Sequence, residues 1–504
     1  MRLHLRSFSV QAALAAALAA CPIGGVGPIE DERGTTDAGV SEVADASDGG
    51  SVVLPVADGG AHDAGGSPDA PGSADAGDSG SAVVPGGDGG ARDAGFAADA
   101  DGGGRDVGFA ADADGGGAAG PDGGGSLELG ATPPMGWNSW NTFGCDKLNE
   151  NLIKQIADVF VSSGMQAVGY QYVNLDDCWM DGRDSSGKLR WSTTRFPSGI
   201  PALADYIHGK GLKIGIYETP NTKTCAGLYS NAPGAVGSLG HETTDAQTFA
   251  SWGIDYLKYD LCAGQRSGFA VMRDALRATG RPIFYSINPG NQENDLCPPS
   301  RCSLNLPSIA NMWRIGFDIG PWWSAVIRLL DQNANLHSHA GPGHWNDPDM
   351  MEVGNGLNDT EGRAHFSLWA IMAAPLIAGN DLRSMSATTK AILTNSEVIA
   401  VDQDPLGIQG QVIASPGPDL QVWSKKLSGT NTRAVVLFNR GGNSASITVQ
   451  WSSIGIPAGA ATVRDLWSHA DLGTFNNSYT ASSVPSHGVA MLKITSTAAA
   501  ETGR

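Results

Sequence analysis

Tyr256-Leu257-Lys258-Tyr259-Asp260 is a short run of strand-forming residues that ends in charge. Side chains two apart on a strand point the same way, so Lys258 and Asp260 share a face. Seven further segments have the same texture: Met135–Asn138, Tyr172–Asp177, Leu212–Tyr217, Pro282–Asn288, Met312–Asp318, His344–Asp349 and Pro375–Asp381. Helical patterns lie between several of them. Asn151–Ser163 places Ile153, Ile156, Ala157 and Phe160 on one face, and Pro201–Gly209 and Thr243–Trp252 read similarly. Strands alternating with helices imply a parallel sheet. Eight such units between residues 131 and 407 match a closed (β/α)8 barrel of the TIM type, which keeps its chemistry at the C-terminal strand ends.

After Gly407 the helical signal stops. Leu420–Trp423, Arg433–Phe438, Ala445–Gln450 and Gly488–Ile494 alternate or run apolar between turn residues. They predict a small antiparallel β-sandwich over residues 408–504. Covering one side of the barrel is its simplest role, and sugar binding is the alternative.

Upstream of the barrel the composition changes. Residues 22–130 are mostly Gly, Ala, Asp and Ser, too few of them apolar to offset chain entropy, so a disordered tether is expected. A flexible chain of about 100 residues spans roughly 50–60 Å. Gly95–Gly104 returns as Gly108–Gly117, but without the regular nonapeptide period of a calcium-binding β-roll. The tether carries 21 acidic residues against Arg33, Arg92 and Arg105, which accounts for most of the net charge of −20. The acidity therefore says little about the substrate, and no basic patch for nucleic acid is present.

Residues 1–21 read as an export signal. Met1–Arg6 is basic, and Val10–Ala20 is an Ala/Leu core too short to span a bilayer as a helix. Leu18-Ala19-Ala20-Cys21 resembles a bacterial lipobox, which implies lipidation of Cys21; a plain signal peptide is the competing reading. The expectation is an exported, cell-surface or outer-membrane lipoprotein, otherwise a secreted or periplasmic protein, touching membrane only through its lipid. Setting Cys21 aside leaves six cysteines, an even set that suggests disulfides in an exported chain. No Cys/His metal spacing occurs, and no metal or cofactor is implied.

Two strand-end carboxylates in one barrel, Asp260 and Asp318, suggest glycosidic-bond chemistry. The Lys258 charge favours an ionised Asp260, as a nucleophile on an anomeric carbon requires. Burial among Trp313, Phe317 and Trp322 is expected to keep a proton on Asp318 for the leaving oxygen. A structural Lys258–Asp260 ion pair is the competing reading. The adjacent Asp176 and Asp177 suit a metal, a helix cap or vicinal sugar hydroxyls. Trp137, at the first strand end, is either a flat wall for a sugar or core.

Several motifs, in order, make the resemblance specific. Leu175–Trp179, Arg195–Pro197, His208–Tyr217, Lys223–Gly227, Asp245–Gly253, Gly343–Met350 and Trp369–Leu376 resemble glycoside hydrolase family 27, the α-galactosidase (melibiase) family. The similarity runs from about Thr132 to Gly407, with a weaker echo at Gly488-Val489-Ala490. It implies a catalytic barrel, a C-terminal β-sandwich and a retaining double displacement that releases terminal α-linked galactose. Asp260 would be the nucleophile and Asp318 the acid/base. Asp176 and Asp177 would accept from the galactose 4- and 6-hydroxyls, with Trp137 near C6. Lys258 would meet the 3- and 4-hydroxyls, and Arg314 and Asp349 the ring on the 2- and 3-side. Tyr217, Cys225 and Met350 would line the pocket. The resemblance also implies disulfides Cys145–Cys178 and Cys225–Cys262. Cys297 and Cys302 fall in a loop unlike the family's and are paired only because they remain.

One departure concerns the 2-position of the sugar. Many family members carry Cys-Glu-Trp after the fifth strand; here Ile287-Asn288-Pro289 stands there. An amide still donates and accepts, and Asn is not small, so galactose is favoured over N-acetylgalactosamine. The rivals are a β-L-arabinopyranosidase or α-N-acetylgalactosaminidase of the same family. In a different class stands a galactoside-binding surface protein, which would have no need of both Asp260 and Asp318.

Overall fold

A computed structural model describes residues 129–263, 266–290 and 305–498. The export signal with Cys21, the tether, and Cys297 and Cys302 lie outside the described residues.

The eight expected barrel strands are present: β1 Met135–Asn138, β2 Tyr172–Asn174, β3 Lys213–Glu218, β4 Tyr256–Asp260, β5 Phe284–Asn288, β6 Met312–Arg314, β7 Trp345–Asp347 and β8 Leu376–Ala378. They form one parallel sheet in the order β8-β1-β2-β3-β4-β5-β6-β7. Its two ends meet through Met351. The Met351 amide donates to the Ile377 carbonyl at 2.6 Å, and the Gly379 amide donates to the Met351 carbonyl at 2.9 Å. The sixth strand stops at Arg314, so Asp318 stands on the following loop and not at a strand end.

Helices α1 Glu150–Ser163, α2 Ile200–His208, α3 Glu242–Ser251 and α4 Ser267–Ala278 follow strands β1 to β4, and α5 Trp323–Ala334 and α6 Asp359–Ile371 follow β6 and β7. In α1 the Asn149 side chain caps the Leu152 amide, and Gly164 ends the helix at φ 87, a left-handed conformation that glycine adopts without strain. Ile153, Ile156 and Phe160 pack outward-facing strand residues such as Val173 in one continuous core.

The barrel interior is sorted along its axis. Parallel register sets Tyr256 beside Phe284, Lys258 beside Ser286 and Asp260 beside Asn288. At the N-terminal strand ends Tyr172, Tyr256, Phe284, Met312 and Trp345 form a separate buried cluster. Two and four residues later the same inward faces carry Asn174, Lys258, Arg314, Asp347 and Asp349. Each strand thus begins apolar and ends polar on one face, as a period of two demands.

The C-terminal strands are β9 Gln411–Gly417, β10 Leu420–Lys426, β11 Thr432–Asn439, β12 Ala445–Gln450, β13 Ala460–Asp465, β14 Ala470–Asn476, β15 Ser478–Val484 and β16 Val489–Ser496. Six make an antiparallel sheet in the order β9-β10-β11-β16-β13-β14, and β12 pairs with β15. Central strand β11 reads as one apolar run because both its faces are covered. Val435 and Leu437 pack against Ile447 and Val449 of β12, while Ala434, Val436 and Phe438 join the barrel core. Helix α6 lies at this junction and is buried nearly all round. The Trp467 indole, from the loop after β13, donates to the Ser367 hydroxyl of α6 at 3.0 Å. The sandwich therefore covers one side of the barrel.

Candidate active site

The charged strand ends open into a cavity of about 730 Å3 lined by Trp140, Asn141, Asp176, Asp177, Tyr217, Cys225, Tyr229, Lys258, Asp260, Arg314, Phe317, Asp318, Asp349 and Met350, among others. Ten of the residues expected to catalyse or to contact sugar line it, on or after β2, β3, β4, β6 and β7.

Asp260 ends β4 and faces the cavity. The Tyr217 hydroxyl donates to its Oδ2 at 3.1 Å. Burial pushes its carboxyl up to about 6, against the pull of the Lys258 charge, with Asp318 and Asp176 adding to the rise. Lys258 does act in the expected direction, but desolvation is larger. The Lys258 ammonium is paired with Asp176 and not with Asp260: Nζ lies 2.7 Å from Asp176 Oδ2. Burial opposes the Lys258 charge, yet Asp176 and Asp260 outweigh it and hold its pKa above the ordinary value. A lysine locked in its charged form is a hydrogen-bond donor at every working pH.

Asp176 also accepts from Asn138 Nδ2 at 2.8 Å and from the Asp177 amide at 2.9 Å, so three donors fix its orientation. Asp177 accepts from the Cys178 amide at 2.6 Å and the Ala226 amide at 2.8 Å, which ties the loops after β2 and β3 together. Burial raises its pKa despite those bonds. Disulfides Cys145–Cys178 and Cys225–Cys262 pin the same loops, the second beside Asp260. Tyr217 reaches Cys225 Sγ at 2.9 Å.

On the opposite side Arg314 is 2.9 Å from Asp349 Oδ2 and 3.0 Å from Asp318 Oδ1. Burial works against the guanidinium charge, but Asp349 and Asp318 keep its pKa high. Asp349 further accepts from the Ile319 amide at 2.8 Å and sits at φ 80, a strained left-handed conformation for a residue other than glycine. Its neighbours hold it there: Asp347 accepts from the Asp349 amide at 2.8 Å.

Three expectations need correction. Asp318 is not buried; its side chain is 71% exposed, because the loop that carries it lifts it off the strand end, and Trp322 is also exposed. Trp137 does not line the cavity. Its ring is fully buried against Phe143, and its indole donates to the Asn380 carbonyl at 2.8 Å. Asn138 is the inward residue of β1, so Trp137 points to the opposite face. The tryptophan at the cavity is Trp140, two residues past the strand. Asn288 stands beside Asp260 but lies on the floor, where it lines a small polar chamber with Lys258, Arg314, Asp347 and Asp349. Its Oδ1 accepts from the Gly290 amide at 3.3 Å, within its own turn.

Sequence reasoning also passed over Asn138, Asn141, Tyr229 and Asp347, whereas Phe317, expected beside Asp318, does line the cavity. For Asp347 a signal existed, since it stands two residues from Asp349 on the inward face, whereas taking Trp137 as the cavity residue of β1 hid Asn138. Asn141 and Tyr229 come from short helical segments between strand and main helix, which the strand period does not reach. Among the described residues no group of three or more His, Cys, Asp or Glu could hold a metal.

A closed barrel with paired carboxylates across a polar cavity is the architecture of a glycoside hydrolase. Residues 132–404 match the family described as alpha galactosidase A, and residues 417–494 match the alpha galactosidase C-terminal beta sandwich domain. The chain belongs to this α-galactosidase (melibiase) family. It is 46% identical over 374 residues to an alpha-galactosidase of Cyamopsis tetragonoloba, covering 73% of this chain and 87% of that one. It is 44% identical over 393 residues to alpha-galactosidase A of Cellvibrio japonicus, covering 73% and 93%. The crystal structure of alpha-galactosidase I from Mortierella vinacea superposes with a TM-score of 0.66 at 37% identity, covering 73% of this chain and 98% of that one.

Proposed function

We propose that the protein hydrolyses terminal α-linked galactose from oligo- or polysaccharides with retention of configuration. The observation that carries the mechanism is Asp260, held by Tyr217 and facing the same cavity as Asp318. Asp260 attacks the anomeric carbon and forms a glycosyl-enzyme; Asp318 protonates the departing oxygen and then takes a proton from the incoming water. The exposure of Asp318 suits that second task, because water and leaving group both pass its loop. Asp176, Lys258, Arg314 and Asp349 are oriented by one another and present acceptors and donors that sugar hydroxyls can use, with Trp140 as the flat wall. Proton NMR of the first-formed sugar tests the mechanism: the α-anomer is expected, and β first would refute retention.

Membership of the family leaves the sugar itself to be read from the pocket. A panel of aryl α-galactoside, β-L-arabinopyranoside and α-N-acetylgalactosaminide separates the three candidates, with the galactoside expected to turn over fastest. Equilibrium binding of melibiose without galactose release would favour a surface binder instead.

Export and lipidation at Cys21 belong to the same proposal. The Gly130 carbonyl accepts from the Gly343 amide and the Trp345 indole, both at 2.7 Å, so the chain joins the barrel at its N-terminal strand ends. Membrane fractionation checks the lipidation: the protein should follow the membranes and Cys21→Ser should be soluble, whereas a soluble wild type would overturn the anchor.

A further inference from the structure

Glu352 lies three residues past Asp349, on the segment that closes the barrel, and it is fully buried. Its carboxylate accepts from the side-chain amides of Asn141 and Asn355, and its backbone amide donates to His365 Nε2 at 3.1 Å. No ion pair to Glu352 occurs among the described residues. A buried carboxylate without a cation is a costly way to fill space. Asn141 is the residue that gives it a purpose, since Asn141 lines the sugar cavity next to Trp140. The turn that carries both is anchored at two other points. The Trp140 amide donates to Asn138 Oδ1 at 2.8 Å, and the Thr142 hydroxyl donates to the Gly379 carbonyl at 2.6 Å. Glu352 is the one ionisable group of the three anchors.

We propose that Glu352 is a positioning residue: through Asn141 it holds the Trp140–Asn141 wall of the cavity, and it thereby sets affinity for the glycoside and not the rate of bond cleavage. This rests on the glycosidase reading above. Its protonation supplies the handle. Burial pushes the carboxyl up to about 7; the Asn141 and Asn355 amides pull it down, and the Asp349 charge pushes it up. His365, the other titratable group facing it, is driven down to about 3 by burial and stays neutral. When Glu352 takes a proton, one acceptor oxygen becomes an O–H donor facing an amide donor, and the anchor is lost. KM should therefore rise as pH falls through about 7.

The test is KM and kcat of the full chain on an aryl α-galactoside from pH 5 to 8.5. Glu352→Gln should raise KM about tenfold or more at pH 8, as expected for one lost charge-assisted hydrogen bond. It should leave kcat within about twofold and remove the KM inflection near 7, which a purely structural role would not do. Asp260 and Asp347, both pushed up to about 6, remain in the variant, so any inflection near 6 is theirs. A wild-type KM in the variant, a loss confined to kcat, or an inflection near 7 that persists would each overturn the proposal. If Glu352→Gln does not fold, Asn141→Leu keeps Glu352 and cuts the link; it should lose the same inflection, and its survival there would be equally fatal. Absence of turnover in the wild type would remove the parent reading and this one with it, whereas full turnover with an unshifted KM in Glu352→Gln removes this one alone.

Discussion

The two ends of the barrel are made by the same strands and do opposite things. At the N-terminal end Tyr172, Tyr256, Phe284, Met312 and Trp345 fill the interior with apolar surface. At the C-terminal end Asp176, Lys258, Asp260, Arg314 and Asp349 face the cavity, charged and partly desolvated. One inward face of β4 spans the change, from buried Tyr256 through Lys258 to Asp260. The first end supplies stability that the second end spends on holding like charges close together.

This division is open to attack at either end. The largest effect belongs to the top: Asp260→Asn should lower kcat on an aryl α-galactoside on the order of 10^4-fold or more, because it removes the nucleophile itself. Thermal unfolding of the variant should be unchanged or improved, since a buried charge disappears. Substantial residual turnover would end the assignment. The bottom should behave in the reverse sense. Trp345→Ala deletes a fully buried ring and should lower stability by about 3–5 kcal/mol in denaturant titration, while kcat per folded molecule stays near that of the wild type.

Trp137 and Trp140 sharpen the contrast within three residues. Trp137→Ala should lower the unfolding temperature, since its ring is buried and its indole bonded. Trp140→Ala should leave unfolding nearly unmoved and raise KM several-fold, on the order of 1 kcal/mol for a lost stacking face. Equal behaviour of the two variants would show that the strand parity assigned here is wrong.

The pH dependence tests the burial of Asp260 itself. Asp260 must be ionised to attack, so kcat/KM should fall about tenfold per unit below about pH 6. An acid limb near 4 would contradict the desolvation of Asp260. Stability runs the other way. Asp260 and Asp347 at about 6 and Glu352 at about 7 bind protons more tightly folded than unfolded. Their contribution is fully present below the ordinary carboxylate range and is lost as pH rises through 6 to 7. The unfolding temperature should thus be higher at pH 5 than at pH 7.5. An increase over that interval would show that other groups dominate.

Much of this was readable from residues alone, for a physical reason. Strands β1 and β4 have the bounds that the sequence implied, because Pro134 and a polar Asn138 bracket the first and a charged Asp260 stops the second. Interior sites follow from a period of two, and Asp176, Lys258, Asp260, Arg314 and Asp349 all reach the cavity. The failures fall where periodicity stops. Asp318 leaves the strand after Arg314 and becomes exposed, which a linear reading of Met312–Asp318 hid. Strands β9, β13, β14 and β15 of the sandwich are half-exposed and interrupted by polar residues, glycine or proline, so they lack the long apolar run that marked β11. Glu352 had no local signal, since its partner Asn141 is more than two hundred residues away in sequence.

The most direct test of the central claim is to trap the glycosyl-enzyme. A 2-deoxy-2-fluoro galactosyl donor with a good leaving group slows the second displacement, because fluorine destabilises the oxocarbenium-like transition state. Digestion and mass spectrometry should then find one fluorogalactosyl group on the carboxylate of Asp260. Label on Asp318 or on any other residue, or turnover of the reagent with no covalent adduct, would contradict it.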